Sequence, residues 1–187
     1  METSLQEASL RRLFRLKAEL MSEKATSEIV YKPIGIIRTS FEDVEGMPIQ
    51  PLGAEGTKGS VELFPEYAEG LQDIEGYSHL ILIYHFHLSK GASLHVKPFL
   101  DDKLRGVFAT RAPKRPNPIG FSVVRLISVN KNRLEIEDAD IVDGTPLLDI
   151  KPFVSDFDNR YDTKTGWMTG KQLQARTKKS DERFCVK

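Results

Sequence analysis

The densest chemistry in this chain lies between Ala109 and Gly120, which reads Ala-Thr-Arg-Ala-Pro-Lys-Arg-Pro-Asn-Pro-Ile-Gly. Arg111, Lys114 and Arg115 supply three cations, and the planar fork of arginine suits carboxylates and phosphates. Asn117 supplies an amide that both donates and accepts. Pro113, Pro116, Pro118 and Gly120 prevent a helix or a central strand from running through. Each residue before a proline is pushed to extended backbone. The expectation is a stiff, cationic loop, a form that serves binding more often than connection. A second group, Asp140-Ile-Val-Asp-Gly-Thr-Pro146, is a turn: Gly144 for positive φ, Asp143 for an Asx-type hydrogen bond. Read alone, Asp143 is first of all a turn residue. His85 and His87 alternate onto one face of an expected strand. Such a pair can ligate a metal, but no third ligand stands nearby, and no metal site is expected.

Elements of period two must hold these groups. Strands are expected over residues 29–38, 59–64, 78–88, 105–109, 121–129, 133–139 and 147–153, with a hairpin turn at Asn130-Lys-Asn132. The segment 78–88 is apolar on both faces as far as Tyr84 and reads as the longest strand, central or barrel-forming. Residues 39–56 form a long loop holding Pro48-Ile49-Gln50-Pro51, and loops of this length in compact domains are often functional. Several short strands with turn signals predict a mainly β fold, a single-sheet antiparallel β-barrel. Before it, residues 4–24 read as a helix, with Ser4 and Glu7 as a capping box and an apolar stripe through Leu10, Leu13, Phe14, Leu16, Leu20 and Met21. After it, residues 163–187 read as a basic tail, helical or mobile, able to touch RNA phosphates. The expected organisation is residues 1–28 as helical extension and linker, 29–162 as barrel and 163–187 as tail.

The formal net charge is +0, so global charge favours no partner, but the distribution is uneven. From Lys103 to Leu134 there is no acidic residue and there are eight basic ones, while residues 42–75 and 135–162 are acidic. Either this stretch forms a surface for an anion such as nucleic acid, or it pairs with the acidic flanks inside the fold. A hydrophobic content of 40% places the chain among ordinary soluble globules. The single cysteine, Cys185, excludes an internal disulfide framework and fits a reducing, cytoplasmic setting. No apolar run has the length of a membrane span, and Arg11, Arg12, Arg15 and Lys17 break any leader-like run. The glycine-rich fingerprints of dinucleotide enzymes and kinases are missing, as is the signature of zinc hydrolases.

Three ordered segments carry a family resemblance: Arg111-x-x-x-Arg-Pro-Asn-Pro-Ile-Gly120; Asp140-Ile-Val-Asp-Gly-Thr-Pro-Leu-Leu-Asp-Ile-Lys-Pro-Phe153; and Gly76-Tyr-Ser-His-Leu80 with the strand running to His87. Over residues 30–160 the chain resembles the TrmO (TsaA/YaeB-like) proteins. The resemblance implies a small β-barrel methyltransferase, often a homodimer. Such an enzyme uses S-adenosylmethionine to methylate N6 of a modified adenosine beside the tRNA anticodon. It implies a cofactor pocket built from Pro48, Ile49, Gln50, His87, Leu88, Arg111, Asp140, Ile141, Val142, Asp143 and Gly144, with Arg115, Asn117 and Asp143 in catalytic positions. Two residues depart from the family pattern: Ile49 stands where an arginine is common, and Leu88 where a glutamine is. Bacterial members often carry a further domain after the barrel, and here only the tail follows. Two other readings share the same features: an RNA-binding barrel without catalysis, and a methyltransferase acting on another RNA or a small molecule.

Overall fold

The computed structural model describes residues 28–184. The helix expected over residues 4–24, and Cys185, lie outside the described residues. The chain divides into two compact units, Met1–Lys32 and Pro33–Lys187. In the first, Ile29, Val30 and Tyr31 are exposed and belong to no strand, so the first strand begins later than the alternation suggested.

The second unit is a closed six-stranded barrel with a two-stranded ribbon beside it. In chain order the strands are β1 (Gly35–Thr39), β2 (Lys58–Leu63), β3 (His79–His85), β4 (His95–Val96), β5 (Arg105–Gly106), β6 (Ile119–Asn130), β7 (Arg133–Glu137) and β8 (Thr145–Pro152). The barrel order is β1-β2-β7-β6-β3-β8, closed by β8 on β1, with every pairing antiparallel. Closure follows from alternation. Ile37 lies opposite Val61, Val61 opposite Leu134, and Tyr84 opposite Leu147, and all of these are buried. Every second residue therefore points into one core, and closing the sheet removes its edges. Each fully buried Leu, Ile or Val side chain contributes about 1.5–3 kcal/mol. A smaller cluster of Val96, Val107, Ala112 and Phe184, with Phe99 against it, forms a satellite core.

Three expectations are corrected. Residues 107–109 form a 3-10 turn and not a strand. The Thr110 amide folds back on the Val107 carbonyl, Val107 is buried, and the Trp167 indole donates to the Ala109 carbonyl at 2.7 Å. The strand from residue 78 stops at His85, so His85 and His87 do not share a strand face. The longest strand is β6, with 12 residues, which accommodates its length through a bulge at Leu126/Ser128. The segment from residue 163, expected as a helical or mobile tail, belongs to the same compact unit as the barrel and includes short 3-10 turns, Gly166–Met168, Gln172–Arg176 and Glu182–Phe184.

Candidate functional site

A cavity of about 840 Å³ opens at the end of the barrel where β3 stops and β6 starts. Its walls come from six segments: residues 47–52, the stretch after β3, residues 98–100, the proline-rich loop, the Asp140–Thr145 turn and the C-terminal segment. Each is irregular backbone, and the barrel presents them at one rim. Gly120 makes the floor possible. A Cβ there would stand 2.3 Å from Cε2 of Tyr84 and 2.7 Å from Cζ of Phe86, so these two edge-on rings occupy the space a side chain would need.

Most expected cofactor contacts converge on this cavity. Pro48, Ile49, Gln50, His87, Leu88, Arg111, Asp140, Ile141 and Val142 line it, as does Arg115. Arg111 donates to Oε1 of Gln50 at 2.9 Å, and its guanidinium stacks over the Phe121 ring at 4.8 Å. It therefore bridges two of the walls and keeps donors free at the rim. Arg115 turns back on its own loop, donating to the carbonyls of Thr110 at 3.2 Å and Ala112 at 3.3 Å. Its geometry is that of a loop brace.

Three expected residues are placed elsewhere. Asn117 is exposed and is not part of the lining, and neither are Asp143 and Gly144. The Asp143 carboxylate accepts from the Thr39 amide at 3.1 Å and faces Nη1 of Arg38 at 3.4 Å, and its amide donates to the Phe41 carbonyl at 2.7 Å. Gly144, at φ 73°, donates to the Ile37 carbonyl at 3.0 Å. The pair stitches the turn to the end of β1, the role its sequence signature first indicated.

The structure also assembles groups that spacing could not reveal. Ser122 donates to Oδ1 of Asp140 at 2.5 Å, and the Tyr84 hydroxyl lies 3.0 Å from the Ser122 hydroxyl. Both hydroxyl residues are buried. With the Ser122 proton directed at the carboxylate, Tyr84 donates to the Ser122 oxygen. Burial pushes the Asp140 carboxyl up to about 6, while the Ser122 hydrogen bond and the Arg111 charge pull the other way. Burial, and then the Asp140 charge, push the Tyr84 phenol well above its ordinary range. His87 is shifted down, by burial first and His85 second, and its Nδ1 lies 3.3 Å from the Thr145 hydroxyl. No cluster of three or more His, Cys, Asp or Glu able to hold a metal occurs among the described residues.

The C-terminal segment completes the enclosure. Ser180 and Met47 exchange hydrogen bonds, Pro48 and Lys179 form an antiparallel bridge, and the Phe184 ring packs edge-on against Phe99 at 5.1 Å. Asp101 receives Arg105 at 2.6 Å and Lys171 at 3.3 Å, and both cations lie over the Trp167 ring. Trp167, Met168, Ala175, Ser180, Asp181 and Phe184 all line the cavity. The basic stretch is correspondingly divided. Arg105, Arg125 and Arg133 are ion-paired with Asp101, Asp138 and Glu62/Glu135, whereas Arg111, Lys114 and Arg115 stay together on the loop beside the cavity.

Fold and site together define a class: a small closed antiparallel barrel with a largely apolar end cavity, one half-buried carboxylate and cations at its rim. The family model of the tRNA-methyltransferase O N-terminal domain matches residues 36–159, and the chain belongs to this family. It is 52% identical over 156 residues to a probable S-adenosyl-L-methionine-binding protein of Pyrococcus abyssi, covering 83% of this chain and 85% of that protein. It is 31% identical over 138 residues to the mouse tRNA (adenine(37)-N6)-methyltransferase, covering 70% of this chain but 32% of the mouse protein. The crystal structure of TrmO from Pseudomonas aeruginosa superposes with a TM-score of 0.64 at 39% identity, covering 75% of this chain and 63% of that one.

Proposed function

We propose that this chain is an S-adenosylmethionine-dependent methyltransferase acting on N6 of a threonylcarbamoyl-modified adenosine beside the tRNA anticodon. The observation that carries the reading is the cavity itself, which the proline-rich loop and the Asp140 turn line together. Its volume of about 840 Å³ lies within the range of ligand sites and suits a nucleoside-bearing cofactor together with a substrate group. S-adenosylmethionine, when bound, supplies a methyl group already activated on a sulfonium. An aromatic ring on the wall, such as Phe86, suits a cation of that kind. Arg111 at the rim suits a carboxylate, and Lys114 with Arg115 continues the positive edge toward a polyanion. What remains for the chain is alignment of donor and acceptor, which is chiefly positioning. A target base must leave its stack to enter, and a loop permits this more readily than a duplex.

The name of the mouse relative, and that of the Pyrococcus relative, support the substrate and the cofactor respectively. The direct test is mass spectrometry of nucleosides from tRNA incubated with the protein and methyl-labelled cofactor. The expected result is label on the modified adenosine. Label confined to another RNA or to a small molecule would overturn the substrate, and no label together with no cofactor binding would overturn the enzyme.

The same reading includes a cytoplasmic homodimer. Supporting it, the outward residues of β3 and β6 make an apolar strip: Ile81 opposite Val123, and Ile83 opposite Phe121, with Ile119 beyond. Phe121 and Ile119 also line the cavity, which places the strip at its lip. Such a patch on a barrel wall fits a self-complementary contact. Sedimentation should give twice the chain mass, and a monomer at micromolar concentration would overturn it.

A further inference from the structure

The cavity holds one group that positioning alone leaves without a role. Asp140 and Asp181 are the two carboxylates that line it. Asp181 is held by the Arg183 fork, with both contacts at 2.7 Å. Asp140 has no ion-pair partner among the described residues. Instead it sits at the end of a chain of two buried hydroxyls, Tyr84 and Ser122, which the β3–β6 pairing directs into the barrel end. Ser122 lies opposite Leu82 and Tyr84 opposite Gly120.

We propose that Asp140, oriented by Ser122 and Tyr84, is the proton acceptor for the attacking nitrogen in methyl transfer. The inference rests on the methyltransferase reading above. A nitrogen that bears a carbonyl substituent has its lone pair delocalised and still carries a hydrogen, so it attacks only as that proton leaves. A positioned carboxylate is the group that removes it. As the nitrogen–carbon bond forms and the carbon–sulfur bond breaks, sulfur keeps the bonding pair. The nitrogen's proton passes to Asp140 and then to solvent through the cavity mouth. The Ser122 hydrogen bond fixes one carboxylate oxygen, which leaves the other to accept. Burial supports the assignment by raising the basicity of this carboxylate toward neutrality, where a general base is most effective. The charged and titratable groups acting on Asp140 are Tyr84 from β3 and Arg111 from the proline-rich loop. His87 lines the same cavity, but its ring nitrogen is directed at Thr145. Asp143 is outside it and engaged with β1.

The test compares the full chain with Asp140→Asn and Ser122→Ala, using three readings: cofactor affinity by calorimetry, single-turnover methyl transfer to modified tRNA across pH 4.5–8, and carbon-13 titration of the aspartate carboxyls. For Asp140→Asn the expectation is cofactor affinity within about threefold of the parent and turnover lower by at least about 100-fold, the lower end for loss of a general base. One carboxyl resonance titrating near pH 6 should be absent from its spectrum. In Ser122→Ala that resonance and the acid limb of turnover should move upward together, because a hydrogen bond to the charged form is gone. Turnover retained in Asp140→Asn at saturating cofactor overturns the proposal. So does a loss confined to cofactor affinity, which would make Asp140 a cofactor ligand. An acid limb in Ser122→Ala that moves apart from the carboxyl titration overturns it as well, even if Asp140→Asn does not fold. If the parent chain itself binds no cofactor and modifies no tRNA, the underlying reading has failed and this inference falls with it; the two failures differ in which protein is inert.

Discussion

At the scale of single residues, Gly120 and Asp140 set the character of the cavity from opposite directions. Gly120 is a matter of space. In Gly120→Ala the new methyl group has no room beside Tyr84 and Phe86, and both rings must shift. Overpacking of this kind costs about 1–3 kcal/mol. The expected outcome is a lower denaturant midpoint at unchanged slope, together with at least tenfold weaker cofactor binding by calorimetry; unchanged values for both would show that the rings yield freely. Asp140 is a matter of charge. Its carboxyl is raised in the folded chain to about 6, against about 3.9 when unfolded. A raised value means that the contribution to stability is fully present below pH 4 and is lost as pH rises through 6. Relative to Asp140→Asn, the parent should therefore lose on the order of 2–3 kcal/mol between pH 4 and pH 7. Equilibrium unfolding at several pH values checks this, and a pH-independent difference would contradict it. A half-buried carboxylate with no ion pair among the described residues, retained at such a cost, belongs with function more than with stability.

At the scale of elements, the C-terminal segment is the part whose role changes most once its contacts are known. Its cations suggested an arm for phosphates. Of these, Lys171 is bound to Asp101, Arg176 reaches Glu55, and Arg183 is divided between Asp181 and the Pro98 carbonyl, while Lys178 and Lys179 are exposed. Apolar residues do the rest: Trp167 caps the Val107–Ala109 turn and Phe184 fills the satellite core. A chain ending at residue 162 should keep a cooperatively melting barrel, because the six strands close without the segment. It should bind cofactor at least tenfold more weakly, because a wall of the cavity is gone. Calorimetry and thermal melting on the shortened chain test this, and full affinity would free the segment for another role. The hydrogen bonds from Arg105 and Lys171 hold the Asp101 carboxyl far below the usual range. A depressed value keeps the contribution of these contacts intact above pH 4 and weakens it only in strong acid.

At the scale of the whole molecule, charge is balanced overall but arranged unevenly around one opening. Arg111, Lys114 and Arg115 stand beside the cavity, whereas Arg125 and Arg133 are neutralised along the barrel by Asp138, Glu62 and Glu135. A polyanion held at the loop releases counterions on binding, while a small cofactor inside the cavity releases few. Affinity for tRNA should therefore fall at least tenfold between 50 and 200 mM salt, with cofactor affinity changing less than twofold. Parallel slopes for the two ligands would place the cofactor on the charged surface.

The sequence by itself determined the barrel, the stiff proline-rich loop, the Asp143–Gly144 turn and the family. These follow from alternation, backbone restriction at proline and glycine, and contiguous motifs, all of which are local in the chain. Only the tertiary structure decided that Val107–Ala109 is a turn, because the Trp167 indole that caps it comes from 58 residues away. Only the fold could show that Asp143 serves β1 while Asp140 faces the cavity. Both carboxylates sit in one motif, and what separates them is which of them meets Arg38 and which meets Ser122. The pairing of β3 with β6 brings Tyr84, Ser122 and Asp140 into line, and strand register across a closed barrel is a long-range property that no short stretch of sequence contains.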